Sequence, residues 1–317
     1  MPAVIGYSNY CVAEKSLSIE EFVAKFEDSF IHQWSKTFIK VEVDREDLVD
    51  IIKSTGTQCV RVEERKNEPQ LFCKLFEQYF EATKVKPEEI DCIIYAKGDP
   101  VIGDINVPYF LQQEFQIPRA QIFCVEQECA STLLALKLGQ ALINEGSAQK
   151  VIILARNIFE SYEKRLMGLF LVSDGLGLLE LNAGEVGLSP LDFLSTSSGN
   201  IAKVYDFTLK AAEVVEIGVK LIQSLLTKNN LTMKDIALII PQNTNSSGWN
   251  IYAKHLDIAK EQIFMENFGG FGHLGDVDMI RNITDIKKKQ LLSKNSYAFA
   301  YALGTGTSWD AFLFKVL

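Results

Sequence analysis

Two stretches of the sequence, which begin 146 residues apart, follow one pattern: VKPEEIDCIIY at 85–95 and LTMKDIALIIP at 231–241. Each stretch leaves a helical periodicity, passes a short polar turn and enters an apolar strand. The tripeptide Gln-Ile-Phe follows both stretches, at 121–123 and again 141 residues later at 262–264. Two matches in the same order, at nearly the same offset, predict a duplicated unit of helices and strands.

The rest of the chain continues this alternation. Short apolar runs predict strands at 91–96, 121–125, 150–155, 168–172, 236–240 and 297–301. Helical periodicities lie between them, at 71–83, 133–144 and 211–226. Continuous apolar strands with intervening helices are typical of a sheet that is buried on both faces. The predicted fold class is therefore α/β.

The duplication predicts two halves, residues 1–185 and residues 186–317. A stretch rich in Ser, Gly and Pro, from Ser189 to Lys203, is typical of a connection between them. The segment 18–57 is acidic and aromatic and has no repeat partner, so we interpret it as an insertion or cap.

Composition excludes several classes of protein. The 317 residues are 47% hydrophobic, which excludes a disordered chain, and the net charge of −9 argues against nucleic-acid and membrane partners. No apolar run approaches the roughly 18 residues of a membrane-spanning helix. The six cysteines are scattered without a CxxC pair, which favours a reducing, cytoplasmic location and argues against a metal site.

Cys129 is the first candidate for chemistry. It lies in EQECAST at 126–132, between a predicted strand and a strong helical periodicity. A thiol at such a turn is close to the positive end of the helix dipole and to free amides, which favour the thiolate form. The alternative is a small side chain at a tight packing point.

The duplication leads from Cys129 to a histidine. By the 141-residue offset, the Cys129 turn corresponds to the neighbourhood of Gly270, within NFGGFGHLGD at 267–276. Because equivalent turns of two duplicated halves would face each other, we expect Cys129 and His273 to share one site. The alternative for His273 is a capping or core histidine.

Two more turns lie where sites in α/β proteins collect, after strands. One is PQNTN at 241–245, which contains Gln242 and Asn243; an asparagine-rich turn that bonds its own backbone is the alternative. The other is GTGT at 304–307, where a glycine-rich turn could present a backbone amide to a developing oxyanion. It is not a phosphate-binding loop, since no GxxxxGK[ST] pattern is present.

Together these residues resemble the thiolase superfamily, and most closely the ketoacyl-acyl-carrier-protein synthase III group. Four blocks carry the resemblance by their order and spacing: 123–132, 171–177, 239–245 and 303–309. The resemblance implies a duplicated five-layered α/β/α/β/α fold, usually as a homodimer, with an acyl-accepting cysteine. It also implies an oxyanion hole formed by the amides of Cys129 and Gly306.

The family pattern is altered at two positions. The segment at 241–245 carries Gln242 where the family has its histidine, and His273 stands where the family has its asparagine. An amide can donate a hydrogen bond, but it cannot move a proton near neutral pH, whereas His273 can do both. We therefore interpret Cys129, His273 and Gln242 as catalytic, with Asn243 as a possible additional polar donor.

The resemblance leads to a leading function and an alternative. The leading hypothesis is an acyltransferase that forms an acyl-Cys129 thioester from acyl-coenzyme A or acyl-carrier protein. It would pass the acyl group to a malonyl-type carbon, or to an oxygen or nitrogen nucleophile, with no cofactor beyond the coenzyme A or phosphopantetheine of the substrate. The alternative is a catalytically impaired subunit that stabilises an active partner, as a heterodimer.

Overall fold

The computed structural model describes residues 1–64, 68–98, 106–202, 207–304 and 308–317. Its strands, numbered in chain order, are β1 (Ala3–Val12), β2 (Lys15–Ser18), β3 (Cys59–Val62), β4 (Cys92–Lys97), β5 (Gln121–Val125), β6 (Lys150–Asn157), β7 (Leu166–Met167), β8 (Phe170–Leu171), β9 (Gly175–Ala183), β10 (Leu188–Ser197), β11 (Ile236–Ile240), β12 (Tyr297–Gly304) and β13 (Ser308–Val316). Its helices are α1 (Ile19–Val23), α2 (Asp28–Phe38), α3 (Arg45–Ser54), α4 (Glu68–Thr83), α5 (Val107–Glu114), α6 (Ser131–Asn144), α7 (Gly199–Ala202), α8 (Phe207–Lys228), α9 (Ser246–Leu256) and α10 (Val277–Lys288).

The strand order shows the duplication directly. Within the described residues, a nine-stranded sheet has the order β11-β12-β13-β10-β1-β9-β6-β4-β5. The first half contributes the order β4-β6-β9-β1 and the second half the order β11-β12-β13-β10. Corresponding pairings have the same parallel or antiparallel sense. In the first half β5 pairs with β4, and in the second half Ile263 forms the equivalent parallel bridge to Ile239. The repeated Gln-Ile-Phe tripeptides therefore occupy equivalent places.

The halves stack into five layers. The central cluster of buried side chains contains residues of α6 and α10 together with one face of both half-sheets. A second cluster joins the outer face of the second half-sheet to α8 and α9, and a third joins the outer face of the first half-sheet to α4 and α5. Because both faces of the strands are covered by helices, the predicted α/β class and layered architecture are confirmed.

Alternation along the strands shows why continuous apolar runs are needed. On β4, Ile94 and Ala96 face the central layer, whereas Ile93 and Tyr95 face the outer helices. Strand β12 divides in the same way: its alanines enter the central layer, and Phe299 enters the outer one. A strand with a polar face could not be buried on both sides.

One local prediction was wrong and another was correct only in part. Most of the predicted connection, 189–197, is strand β10, which pairs along its length with β13 and touches β1 at Leu188. Pro190 is tolerated because it lies at a register shift, and the buried Ser189 hydroxyl donates to the carbonyl oxygen of Ala3. The predicted strand at 168–172 is one arm of a short hairpin, β7–β8, that turns at Gly168. Lys203 lies outside the described residues.

The segment 18–57 forms a small layer of its own. Helices α1, α2 and α3 share a separate hydrophobic cluster with β2, β3 and the β7–β8 hairpin. The segment also touches the second half, since Ser246 donates from its backbone amide to the carbonyl oxygen of Thr55. Its interpretation as a cap and the boundary between residues 185 and 186 stay predictions. No helix in the described part of the chain is long and apolar enough to cross a membrane.

Candidate active site

The predicted nucleophile lies on a tight turn between β5 and α6. Cys129 is half-buried, two residues before the first residue of α6. The residue before it, Glu128, has a left-handed backbone with φ of 51°. The turn packs tightly against β12. A Cβ added at Gly304 would lie only 2.7 Å from the carbonyl oxygen of Gln127. Only glycine fits at that point on β12.

The amides at the start of α6 are largely engaged by the opposite half. The backbone amide of Thr132 donates to the carboxylate of Asp276 at 3.0 Å, and the Thr132 hydroxyl donates to the carbonyl oxygen of the same residue at 2.8 Å. Burial raises the pKa of Asp276 to about 8, although hydrogen bonds from Thr132 and Ser131 and the charge of His273 oppose this shift. The helix terminus is therefore less free to stabilise a thiolate than the sequence predicts.

His273 is held on both sides by the segment between β8 and β9. Its amide donates to the carbonyl oxygen of Leu171 at 3.0 Å, and its own carbonyl oxygen accepts from the amide of Ser173 at 2.8 Å. The side chain is only 3% exposed. Ring nitrogen Nδ1 lies 2.6 Å from the carboxylate of Asp278. The backbone thus fixes the ring next to a carboxylate partner.

The second ring nitrogen of His273 is also buried. Nε2 of His273 is shielded from solvent and has no hydrogen-bond partner of ordinary geometry among the described residues. The Cys129 thiol is nevertheless close enough to act on the ring. Burial alone lowers the pKa of His273, but the Asp278 carboxylate and the Cys129 sulfur outweigh it and raise the pKa to about 10. The structure therefore brings Cys129 and His273 together, with an imidazole that favours its charged form.

Asp278 is a site residue that the sequence analysis missed. Its carboxylate accepts from the backbone amides of Leu274 and Asn243 and from the Asn243 side chain, as well as from His273. The available signal was an aspartate five residues after the histidine, in the first turn of α10. Asn243 contacts this carboxylate and Asn282 rather than the nucleophile. It therefore orients Asp278, which in turn orients His273.

Gln242 is also at the site, but its side chain bonds the backbone. Its amide nitrogen donates to the carbonyl oxygen of Cys129 at 2.7 Å, and its amide oxygen accepts from the backbone amide of Leu303 at 3.0 Å. Gly306, the predicted second oxyanion-hole residue, lies outside the described residues. No group of acidic, cysteine and histidine side chains in the described part of the chain could hold a metal ion.

Known proteins resemble this chain in sequence and in fold. Residues 226–316 match the family described as 3-oxoacyl-[acyl-carrier-protein (ACP)] synthase III C terminal. The β-ketoacyl-[acyl-carrier-protein] synthase III of Clostridium tetani is 23% identical over 295 residues, which cover 82% of this chain and 88% of that protein. In sequence the chain is therefore similar to β-ketoacyl-[acyl-carrier-protein] synthase III, and it is ketoacyl synthase III-like.

Solved structures show that this ketoacyl synthase III-like protein shares the whole fold. The 3-oxoacyl-[acyl-carrier-protein] synthase III of Aquifex aeolicus superposes with a TM-score of 0.80 at 17% identity, over 99% of both chains. OleA of Xanthomonas campestris, solved with bound lauric acid and lauroyl-CoA, superposes with a TM-score of 0.82 at 11% identity, over 100% of this chain and 99% of that one. At these identities the likeness shows the fold.

Proposed function

We propose that this protein is an acyltransferase that carries its acyl group on Cys129 and hands it to an acceptor whose nucleophilic oxygen or nitrogen bears a proton. The observation that carries this proposal is the position of His273, between the Cys129 thiol and the Asp278 carboxylate. A nucleophile, a base and a carboxylate that orients the base are the parts of a triad for acyl transfer.

The first half-reaction loads the enzyme. With the proton on the imidazole, the Cys129 thiolate attacks the carbonyl carbon of an acyl-coenzyme A or acyl-carrier thioester. The new sulfur–carbon bond forms, the bond to the carrier sulfur breaks, and His273 gives its proton to the departing thiolate. Asp278 stabilises the imidazolium before this transfer and keeps the ring oriented after it.

The second half-reaction uses the neutral imidazole that the first one leaves. An amine or hydroxyl attacks the acyl carbon, its proton passes to His273, and the bond to Cys129 breaks. This step returns the thiolate and imidazolium with which the cycle began. A hydroxyl or amine needs such a base, whereas a malonyl acceptor loses carbon dioxide and needs donors that stabilise an enolate.

The hydrogen bonds of Gln242 favour an acceptor whose nucleophilic oxygen or nitrogen bears a proton. The family places a second catalytic side chain at this position, but here both ends of the Gln242 amide bond backbone groups. Among the described residues we assign proton transfer to His273, and Gln242 offers no second donor for an enolate. This supports transfer to oxygen or nitrogen over decarboxylative condensation.

The test is an intact-mass assay with a panel of acyl-coenzyme A thioesters. Wild-type protein gains the mass of one acyl group, and the Cys129→Ala variant gains none. The isolated acyl-enzyme is then offered a primary amine, an alcohol or a malonyl thioester, with loss of the adduct followed by mass. Rapid deacylation by malonyl thioester, with release of carbon dioxide, would contradict the proposed acceptor class and leave the acyl-Cys129 step standing.

The second candidate function is a partner subunit without turnover of its own. The observation that favours it is again the loss of a histidine at position 242, and the intact Cys129–His273 pair opposes it. Absence of an adduct with every thioester, together with co-purification of a second ketosynthase-like chain, would select this function.

A further inference from the structure

The side chain of Gln242 connects three segments of the site. It follows β11 and is only 4% exposed. One end of its amide holds the carbonyl oxygen of Cys129, and the other holds the backbone amide of Leu303 near the end of β12. Residues 305–307 come next in the sequence after β12, and they contain Gly306, which the family resemblance assigns to the oxyanion hole.

We propose that Gln242 is a positioning residue that fixes the nucleophile turn against the end of β12, and that it makes no contact with substrate. This inference rests on the proposed acyl transfer, because it explains how the turn that carries Cys129 keeps its place. The close contact between Gly304 and Gln127 shows that the two segments abut at this point. A single buried amide bonds both of them.

A glutamine suits this role because its two polar atoms differ and neither titrates near neutral pH. The nitrogen can only donate, which matches the Cys129 carbonyl oxygen, and the oxygen can only accept, which matches the Leu303 amide. A histidine at this position would lose its acceptor whenever it became protonated. A glutamate would place an anionic oxygen against the Cys129 carbonyl whenever it became ionised. The two replacements therefore fail at opposite ends of the pH scale.

The experiment measures the rate of Cys129 acylation from pH 5.5 to 9 for wild type, Gln242→His and Gln242→Glu. At each pH the rate of a variant is divided by the wild-type rate. We expect the Gln242→His ratio to fall as pH decreases and the Gln242→Glu ratio to fall as pH increases. The loss at the unfavourable pH should reach about a hundredfold, the effect of displacing a reacting group by about 1 Å.

Gln262 provides the matched control. Its amide nitrogen donates to the carbonyl oxygens of Met233 and Ile236, and its amide oxygen accepts from the backbone amide of Ala259. It thus bonds backbone at both ends, at the opposite end of β11 from Gln242. Gln262→His and Gln262→Glu should leave the acylation ratio independent of pH.

Gln242→His separates a positioning residue from a substrate contact. If Gln242 donated to the thioester oxygen, an imidazolium would be the better donor and the ratio for this variant would rise as pH decreases. That result would overturn the proposal.

A second measurement keeps the inference testable if no thioester loads the wild type, an outcome that would remove the proposed function. Hydrogen exchange of the peptide containing Leu303 is compared in Gln242→Met and Gln262→Met. Exchange at the Leu303 amide should rise at least about tenfold in Gln242→Met alone. Equal protection in both variants would overturn the positioning role.

Discussion

In the proposed mechanism the His273 imidazole moves the proton, and the Asp278 carboxylate beside it raises the pKa of the ring. The Asp278→Asn variant should keep the packing and remove that charge, so the pKa of His273 should fall from about 10, because burial alone lowers it. Histidine ring NMR measures this directly, since the chain has three histidines. The His273 ring should remain charged through pH 8 in wild type and titrate at lower pH in the variant.

The same substitution should slow acylation of Cys129 by about a hundredfold or more, because the imidazole loses its orienting partner. Asp192→Asn is the control, since that carboxylate lies on β10 and bonds Lys228 and Asn229. Equal acylation rates for Asp278→Asn and wild type would show that the carboxylate has no part in the reaction.

Asp276 makes folding stability depend on pH. Burial raises its pKa from 3.8 to about 8 in the folded protein, so between these values the native state holds a proton that the unfolded chain has lost. The contribution of Asp276 to stability therefore falls as pH rises through this window, and it levels off above about pH 8. Asp276→Asn keeps the acceptor for the Thr132 amide and removes the titration.

Urea unfolding at pH 5 and pH 8 tests this effect. The stability of Asp276→Asn relative to wild type should increase between the two pH values by an amount on the order of a few kcal/mol. Because all other groups are common to both proteins, their titrations cancel in the difference. A difference that stays constant with pH would contradict the raised pKa of Asp276.

At the scale of elements, residues 172–174, between β8 and β9, hold the backbone of His273 in place. A buried ion pair anchors this segment: Arg165 donates to both carboxylate oxygens of Asp174, at 2.6 and 2.7 Å, with 2% and 1% of the two side chains exposed. The same carboxylate accepts the backbone amides of Glu63 and Phe159. The Asp174 carboxylate therefore ties the segment that bonds His273 to the residues that follow β3 and β6.

Arg165→Met should destabilise the protein by about 3–5 kcal/mol, since it leaves the Asp174 charge buried without its partner. Denaturant unfolding gives the value. The neighbouring Lys164→Met removes an exposed pair with Glu160 and should cost no more than about 0.5 kcal/mol. If the two variants unfolded at the same denaturant concentration, the Arg165–Asp174 ion pair would not be what stabilises this segment.

Across the whole molecule, the sequence predicts those strands whose residues form an apolar run between polar turns. The strands at 121–125 and 236–240 have the predicted bounds, because an apolar run between polar turns has few alternatives in an α/β chain. Strand β10 was missed because its Ser and Pro resemble a loop, and its pairing with β13 depends on residues more than a hundred positions away. The five-layered architecture was expected from the family resemblance, with which the internal repeat is consistent.

The site was predictable only in part, for the same physical reason. Cys129 and His273 stand on turns that the repeat makes equivalent, so sequence alone could relate them. The role of Asp278 depends on which way the first turn of α10 faces, and the bonds of Gln242 depend on two distant backbone groups. The spacing of Asp278 from His273 marks it only as a candidate, and no local spacing indicates the partners of Gln242.

The free edge of the sheet leads to a prediction about assembly. Strand β5 ends the nine-stranded order, so one of its edges has no partner strand among the described residues. Its side chains are partly open, with Ile122 and Phe123 half-buried and Cys124 exposed. An apolar strand with an unpaired edge favours pairing with another strand, and a second copy of this chain offers the same edge.

We therefore expect a homodimer, with a mass in light scattering of twice the 35.6 kDa of one chain. Cys124→Arg adds a charge to the exposed face of β5 and should shift the protein to the monomer, because like charges would face each other across the twofold axis. Leu291→Arg, at an exposed apolar residue beyond α10, is the control and should remain dimeric. A wild-type protein that stays monomeric at every concentration would contradict self-pairing, and it would leave β5 free for the different chain that the partner-subunit function requires.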